Sequence, residues 1–201
     1  MPQTSKAPTT TDFIDFSTPE EWEAWLAQNY NRDEVWLRIA KKDSGKTSIT
    51  IPQALDVALC YGWIDSHRKG YDTAYYLQRY SPRRAKSPWS LINVEKAEAL
   101  IASGRMQAPG YAEIQLAKDD GRWAIAYESQ RTAQVPAELL IALAHNHFAQ
   151  QAFATLDKSA QYALFLPILK AITPKSRDLH VQKVIAKLDV DGRASASKHS
   201  T

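Results

Sequence analysis

The chain has 201 residues and a net charge of +3; 44% of its residues are hydrophobic and 23% charged, which allows a packed core and excludes wholesale disorder. A charge this small does not by itself argue for nucleic acid, since a phosphate-binding domain concentrates its cations on one face. A single cysteine, Cys60, excludes an intramolecular disulfide and a cysteine-based metal cluster.

Residues 1–12 are polar and rich in Thr, Ser and Pro, which predicts a disordered arm. They hold no apolar run of the signal-peptide kind, and no stretch approaches the roughly 18 apolar residues of a membrane span, so a cytoplasmic location is expected. Thr18-Pro19-Glu20-Glu21 is a capping box with proline at the first helical position, and Trp22, Trp25 and Leu26 then share one helical face. Residues 34–41 (EVWLRIAK) predict a strand with Val35, Leu37 and Ile39 on one side, and Asp43 to Lys46 predicts a turn. A second helix is expected from about Pro52 to Tyr61, stopped by Gly62. Trp63 to Lys69 and Thr73 to Tyr80 predict a hairpin turned by Gly70-Tyr71-Asp72.

Helical periodicity takes over after Ser81. Ser90 or Asn93 caps a helix carrying Val94, Ala97, Leu100 and Ile101, and it ends at Gly104. Pro109 opens another, with Ile114 and Ala117 inward, ending near Gly121. From about Pro136 to Val190 the chain is helical and punctuated by Pro136, Pro167 and Pro174; Val181, Val184, Ile185 and Leu188 form the last apolar stripe. Residues 191–201 predict a disordered tail. The fold class is therefore α+β: a small three-stranded antiparallel sheet packed with helices, followed by a helical C-terminal half. The expected organisation is an α+β subdomain over 13–123 and a helical subdomain over 124–190.

Residues 67–90 concentrate the chemistry. Arg68, Lys69, Arg79, Arg83, Arg84 and Lys86 stand against the single acid Asp72, with Tyr71, Tyr75, Tyr76, Tyr80 and Trp89 interleaved. Cations beside flat rings suit phosphates, nucleobases and other planar anions. The segment from Ser81 leads into a helix start, which favours an anion. Arg83, Arg84, Lys86, Ser87, Trp89 and Ser90 are therefore the candidate ligand-binding residues. The bland alternative has the arginines bracing a loop, Ser90 capping the helix and Trp89 stapling it.

Asp65 and His67 fall on one face of a regular strand, a weaker candidate for proton transfer. Cys60, at the end of an apolar helix, is expected to be a small buried hydrophobe. His145-Asn146-His147 lacks the three- or four-residue spacing of a helical zinc pair, so no metal is expected there, and Asn146 is read as a cap. Arg105 and Arg122 each follow a helix-ending glycine, and Trp123 is placed to stack on Arg122 or to close a core. GxGxxG, P-loop and GxSxG patterns are absent, and no cofactor is expected.

Several stretches resemble the YdeI/OmpD-associated family, also labelled bacteriocin-protection proteins: VWLRIAKKDSG (35–45), ALDVALCYGWIDSHRKG (54–70), the run 79–106, YAEIQLAKDDGRW (111–123) and VPAELLIAL (135–143). The similarity spans roughly residues 13 to 190. It departs at residues 170–177, which keep only part of the family's Ala-Lys-Arg and Thr-Arg pattern. The resemblance implies a link to resistance against bacteriocins or cationic peptides and supplies no reaction, cofactor or catalytic residue. The leading expectation is a non-enzymatic stress or defence protein that binds an anionic small molecule or nucleic acid. An enzyme acting on a small anionic substrate and a protein-interaction module are the alternatives.

Overall fold

The computed structural model describes residues 12–198, so the expected arm lies almost wholly outside the described residues. The chain divides into two units, residues 1–87 with 95–117 and residues 88–94 with 118–201.

In the first unit, α1 (Pro19–Asn29) is capped by Thr18, whose hydroxyl accepts the Glu21 N–H at 3.3 Å. The Glu21 carboxylate accepts from the Ser17 N–H at 2.6 Å, so the box closes one residue upstream of the expected position. Trp22 and Leu26 are fully buried. Strand β1 (Val35–Ala40) alternates as expected, with Val35, Leu37 and Ile39 buried. Helix α2 (Ile51–Cys60) starts from a full capping box between Thr50 and Gln53. Gly62 follows it at φ +71°, the left-handed conformation that a helix stop requires.

Strands β2 (Trp63–Gly70) and β3 (Tyr75–Pro82) form the hairpin. The sheet is antiparallel in the order β1-β3-β2, with Leu37 opposite Gln78 and Asp65 opposite Tyr80. Its aromatic core joins Trp22 to Phe16, Trp63 and Tyr80, with ring centroids 5.3, 6.3 and 5.8 Å away. Helices α3 (Leu91–Ala102) and α4 (Ala108–Asp119) follow; the first turn of α3 belongs to the second unit.

The second unit holds α5 (Ala137–Ala144), α6 (His147–Ala154), α7 (Lys158–Lys170) and α8 (Pro174–Lys198). Asn146 caps α6 as expected, accepting the Ala149 N–H at 3.0 Å. Leu139, Leu143, Phe153, Phe165, Ile168 and Leu188 belong to one apolar cluster, completed by Ala149, Val181 and Val184. Pro136 and Pro174 stand at helix starts, and Pro167 lies inside α7.

The expected tail is corrected over residues 191–198, where α8 simply continues. Arg193 pairs with Asp189 one turn earlier at 2.7 Å, and Arg193 also lies 4.6 Å from the Phe148 ring. Gly192 lets the helix pass against the Phe148 carbonyl, where no Cβ would fit. A composition of small and polar residues concealed that contact. No helix among the described residues is long and apolar enough to cross a membrane.

Gly110 is the tightest approach in the first unit. A Cβ there would overlap the Cys60 carbonyl oxygen and the Met106 sulfur. Gly110→Ala is therefore expected to lower stability by about 3 kcal/mol, despite alanine's better helix propensity. Urea unfolding monitored by tryptophan fluorescence measures it, and an unchanged midpoint would contradict the tight packing.

Candidate functional site

The six candidate residues are divided between the two units. Arg83, Arg84, Lys86 and Ser87 lie in the first unit, Trp89 and Ser90 in the second. The Arg83 N–H donates to the Gly62 carbonyl at 3.0 Å, and the Arg83 side chain is buried. The loop then turns, with the Ser87 N–H donating to the Arg84 carbonyl at 2.9 Å and Lys86 at φ +64°. Arg84 and Lys86 are exposed.

Trp89 is only 2% exposed, packs edge-on against Trp123 at 4.8 Å, and its carbonyl accepts the Tyr127 N–H at 3.0 Å. It is a core residue of the second unit and offers no open ring for stacking. Ser90 caps α3, its hydroxyl accepting the Asn93 N–H at 3.3 Å. Arg122 is buried against Asp120, 2.7 Å away, and the cation over Trp123 is Lys118, at 5.5 Å.

Most of the aromatic and cationic residues between 67 and 80 engage partners of their own chain. Arg68 lies over Tyr76 and Lys69 over Trp36, each at 4.6 Å. Arg38 lies over Tyr75 at 4.6 Å and forms a two-pronged pair with Asp15. Arg79 pairs with Glu34. These contacts give each of those cations a partner within the chain, although Arg68 and Lys69 remain exposed, as Arg84 and Lys86 are.

The expected Asp65–His67 face is not formed. Between Asp65 and Arg68 the register slips: Asp65 lies opposite Tyr80, and Arg68 lies opposite Gln78. A bulge inserts one residue and moves Arg68, not His67, onto the Asp65 side. Arg68 Nε donates to Gln78 Oε1 at 2.9 Å on that face, while His67 is exposed. Burial pushes the Asp65 carboxyl above its ordinary range, and its own backbone hydrogen bond, Arg68 and Arg83 pull it part of the way back. Tyr80, opposite it, is pushed up by burial and by the Asp65 charge. Cys60 is buried, and desolvation raises its thiol to about 11.

Sequence reasoning missed a cavity of about 490 Å³ in the second unit, lined by Lys170, Thr173, Ser176 and His180 among apolar neighbours. It lies where α7 gives way to α8. Lys170 lies over the Tyr127 ring at 4.9 Å, and the Ser176 N–H donates to the Thr173 hydroxyl at 3.2 Å. The break between helices is legible from Thr173-Pro174; the concavity is not.

Residues 132–189 match the family model described as Bacteriocin-protection, YdeI or OmpD-Associated. This part of the chain is similar to the YdeI/OmpD-associated family. Residues 14–113 match a second model, described as a domain of unknown function (DUF8412). No curated protein and no solved structure matches the chain. The YdeI/OmpD-associated match thus covers only the C-terminal part of the similarity read from sequence over residues 13 to 190. The YdeI/OmpD-associated span includes VPAELLIAL, and most of the other quoted stretches fall in the 14–113 span. The departing segment 170–177 lies inside the YdeI/OmpD-associated match. Its Arg177 is structural, with Nε donating to Glu138 of α5 at 2.8 Å.

The raised Asp65 carboxyl has a consequence for stability. A carboxyl that ionises less readily folded than unfolded binds more protons in the folded state, so stability falls as pH rises from the ordinary Asp value of 3.8 through the raised one. Asp65→Asn is expected to remove that fall and to flatten the pH profile of the urea midpoint in this window. Parallel profiles for the two proteins would show that Asp65 carries no such cost.

Proposed function

We propose that the chain is a cytoplasmic, non-enzymatic binding protein for a phosphate-bearing or otherwise anionic ligand, and that it serves the protective role linked to its family through that binding. One observation carries the reading. Arg38, Arg79, Arg105, Arg122, Arg177 and Arg193 each lie within ion-pair distance of a carboxylate. Arg84 and Lys86 have no such carboxylate among the described residues and sit exposed on one tight loop. Exposed cations held by a turn and left uncompensated by the fold are available to an external anion.

A second reading has its own support. Helix α5 buries Leu139 and Leu143, yet Leu140 and Ile141 are 51% and 63% exposed. An apolar pair on the outer side of a helix suits a protein partner.

The test is a thermal-shift panel of nucleotides, sugar phosphates and short single-stranded RNA and DNA, run on wild type and on Arg84→Ser/Lys86→Ser. A ligand at about 100 times its dissociation constant stabilises by about 2.7 kcal/mol. The expected result is a shift in wild type that the double variant loses. Survival of bacteriocin-challenged cells separates the two readings. Protection lost with Arg84→Ser/Lys86→Ser supports anion binding, whereas protection lost only with Leu140→Lys/Ile141→Lys supports the partner surface.

A further inference from the structure

The connection from β1 to α2 carries Lys41, Lys42 and Lys46 around a turn. These three lysines line an open cavity of about 530 Å³ whose walls include Ile39, Ile51 and Tyr76. Small-molecule sites run from roughly 300 to 1,000 Å³, so the space suits a ligand of mononucleotide size. The backbone is left-handed at Asp43 (φ 63°) and at Gly45 (φ 67°), which folds the loop back and places the three lysine residues around one concavity.

The charge in that concavity is not balanced. The Lys41 ammonium donates to the Asp72 backbone carbonyl at 2.6 Å, an uncharged acceptor. Lys42 and Lys46 are exposed and have no carboxylate within ion-pair distance among the described residues. Asp43 is the one acidic residue in the cavity wall, against the three lysines Lys41, Lys42 and Lys46. An excess of lysines over carboxylates around one concavity favours an anion there. The Thr50 hydroxyl is committed to capping α2, so the anion-binding charge comes from the lysines. The Tyr76 ring, with the Arg68 guanidinium 4.6 Å from its centroid, gives a flat wall for the uncharged part of a ligand.

We propose that the Lys41–Lys42–Lys46 cavity binds a phosphorylated small molecule of mononucleotide size, with the lysines on the phosphate and Tyr76 and Ile51 against the organic moiety. The site uses neither Arg84 nor Lys86, so it goes beyond the reading above and stands or falls separately.

The experiment is calorimetric titration of the full chain with AMP, ribose 5-phosphate and adenosine, at about 0.15 M ionic strength, where charge effects reach only about 8 Å. Wild type, Lys42→Ser/Lys46→Ser and Arg84→Ser/Lys86→Ser are compared, with unfolding midpoints confirming that each is folded. Wild type is expected to bind at least one of the two phosphorylated probes and not adenosine. Loss of two charge-assisted contacts in Lys42→Ser/Lys46→Ser is expected to weaken that binding roughly a hundredfold, and Arg84→Ser/Lys86→Ser is expected to leave it unchanged. Absence of binding by wild type to both phosphorylated probes would overturn the proposal. So would adenosine binding as tightly as AMP, an unaltered affinity in Lys42→Ser/Lys46→Ser, or equal weakening in the two double variants.

Discussion

Two buried indole N–H groups set the register of the first unit. Trp22 Nε1 donates to the Ala54 carbonyl at 3.1 Å, tying α1 to α2, and Trp63 Nε1 donates to the Tyr30 carbonyl at 2.8 Å, tying β2 to the end of α1. Both rings are fully buried. Removing about 200 Å² of ring from water contributes roughly 5 kcal/mol, whereas an orphaned buried donor costs about 1–3 kcal/mol. The gain is therefore fully available only in the arrangement that brings each N–H to its carbonyl. The exposed ion pairs contribute roughly 0–1 kcal/mol each and follow this arrangement instead of dictating it.

That arrangement also fixes the loop after β3. Trp63 starts β2 directly after Gly62, and the Gly62 carbonyl receives the Arg83 N–H. The same glycine has no room for a side chain, since a Cβ would lie 2.9 Å from both the Pro109 carbonyl oxygen and Glu113 Cγ. The end of α2, the start of α4 and the loop holding Arg83 thus meet around one residue without a side chain. Arg84 and Lys86 follow directly on the tethered Arg83, in a turn where the Ser87 N–H donates to the Arg84 carbonyl at 2.9 Å.

Regular elements were legible from the sequence because their signals are local. Thr18-Pro19, Gly62, Asn146 and the alternation of Val35, Leu37 and Ile39 each report a backbone state within a few residues of themselves. The candidate site was legible only in part. The bulge that separates His67 from Asp65 depends on pairing with β3, and a strand's own residues do not reveal it. Burial of Trp89 depends on Trp123 and Tyr127, more than thirty residues away in the sequence. Lys41, Lys42 and Lys46 were visible as charges, but a charged turn is ordinarily solvated. Their convergence rests on the left-handed backbone at Asp43, a conformation that few non-glycine residues adopt.

The perturbed groups of the first unit bear on what kind of chemistry its interior favours. Functional sites shift pKa values, but the direction of the shift matters. A nucleophile needs its thiol or hydroxyl pushed toward the charged form by a cation or a base. At Cys60 and Tyr80 burial does the opposite and holds the neutral form. Asp65 is shifted upward by the same desolvation, and its strand neighbour His67 lies outside its face. Shifts of this kind measure what it costs to place polar groups in a well-packed aromatic core. Arg84, Lys86, Lys42 and Lys46 stand instead exposed on loops outside that core. The proposed binding at these loops asks nothing of the buried groups, and it is compatible with a core as closely packed as its tryptophans require.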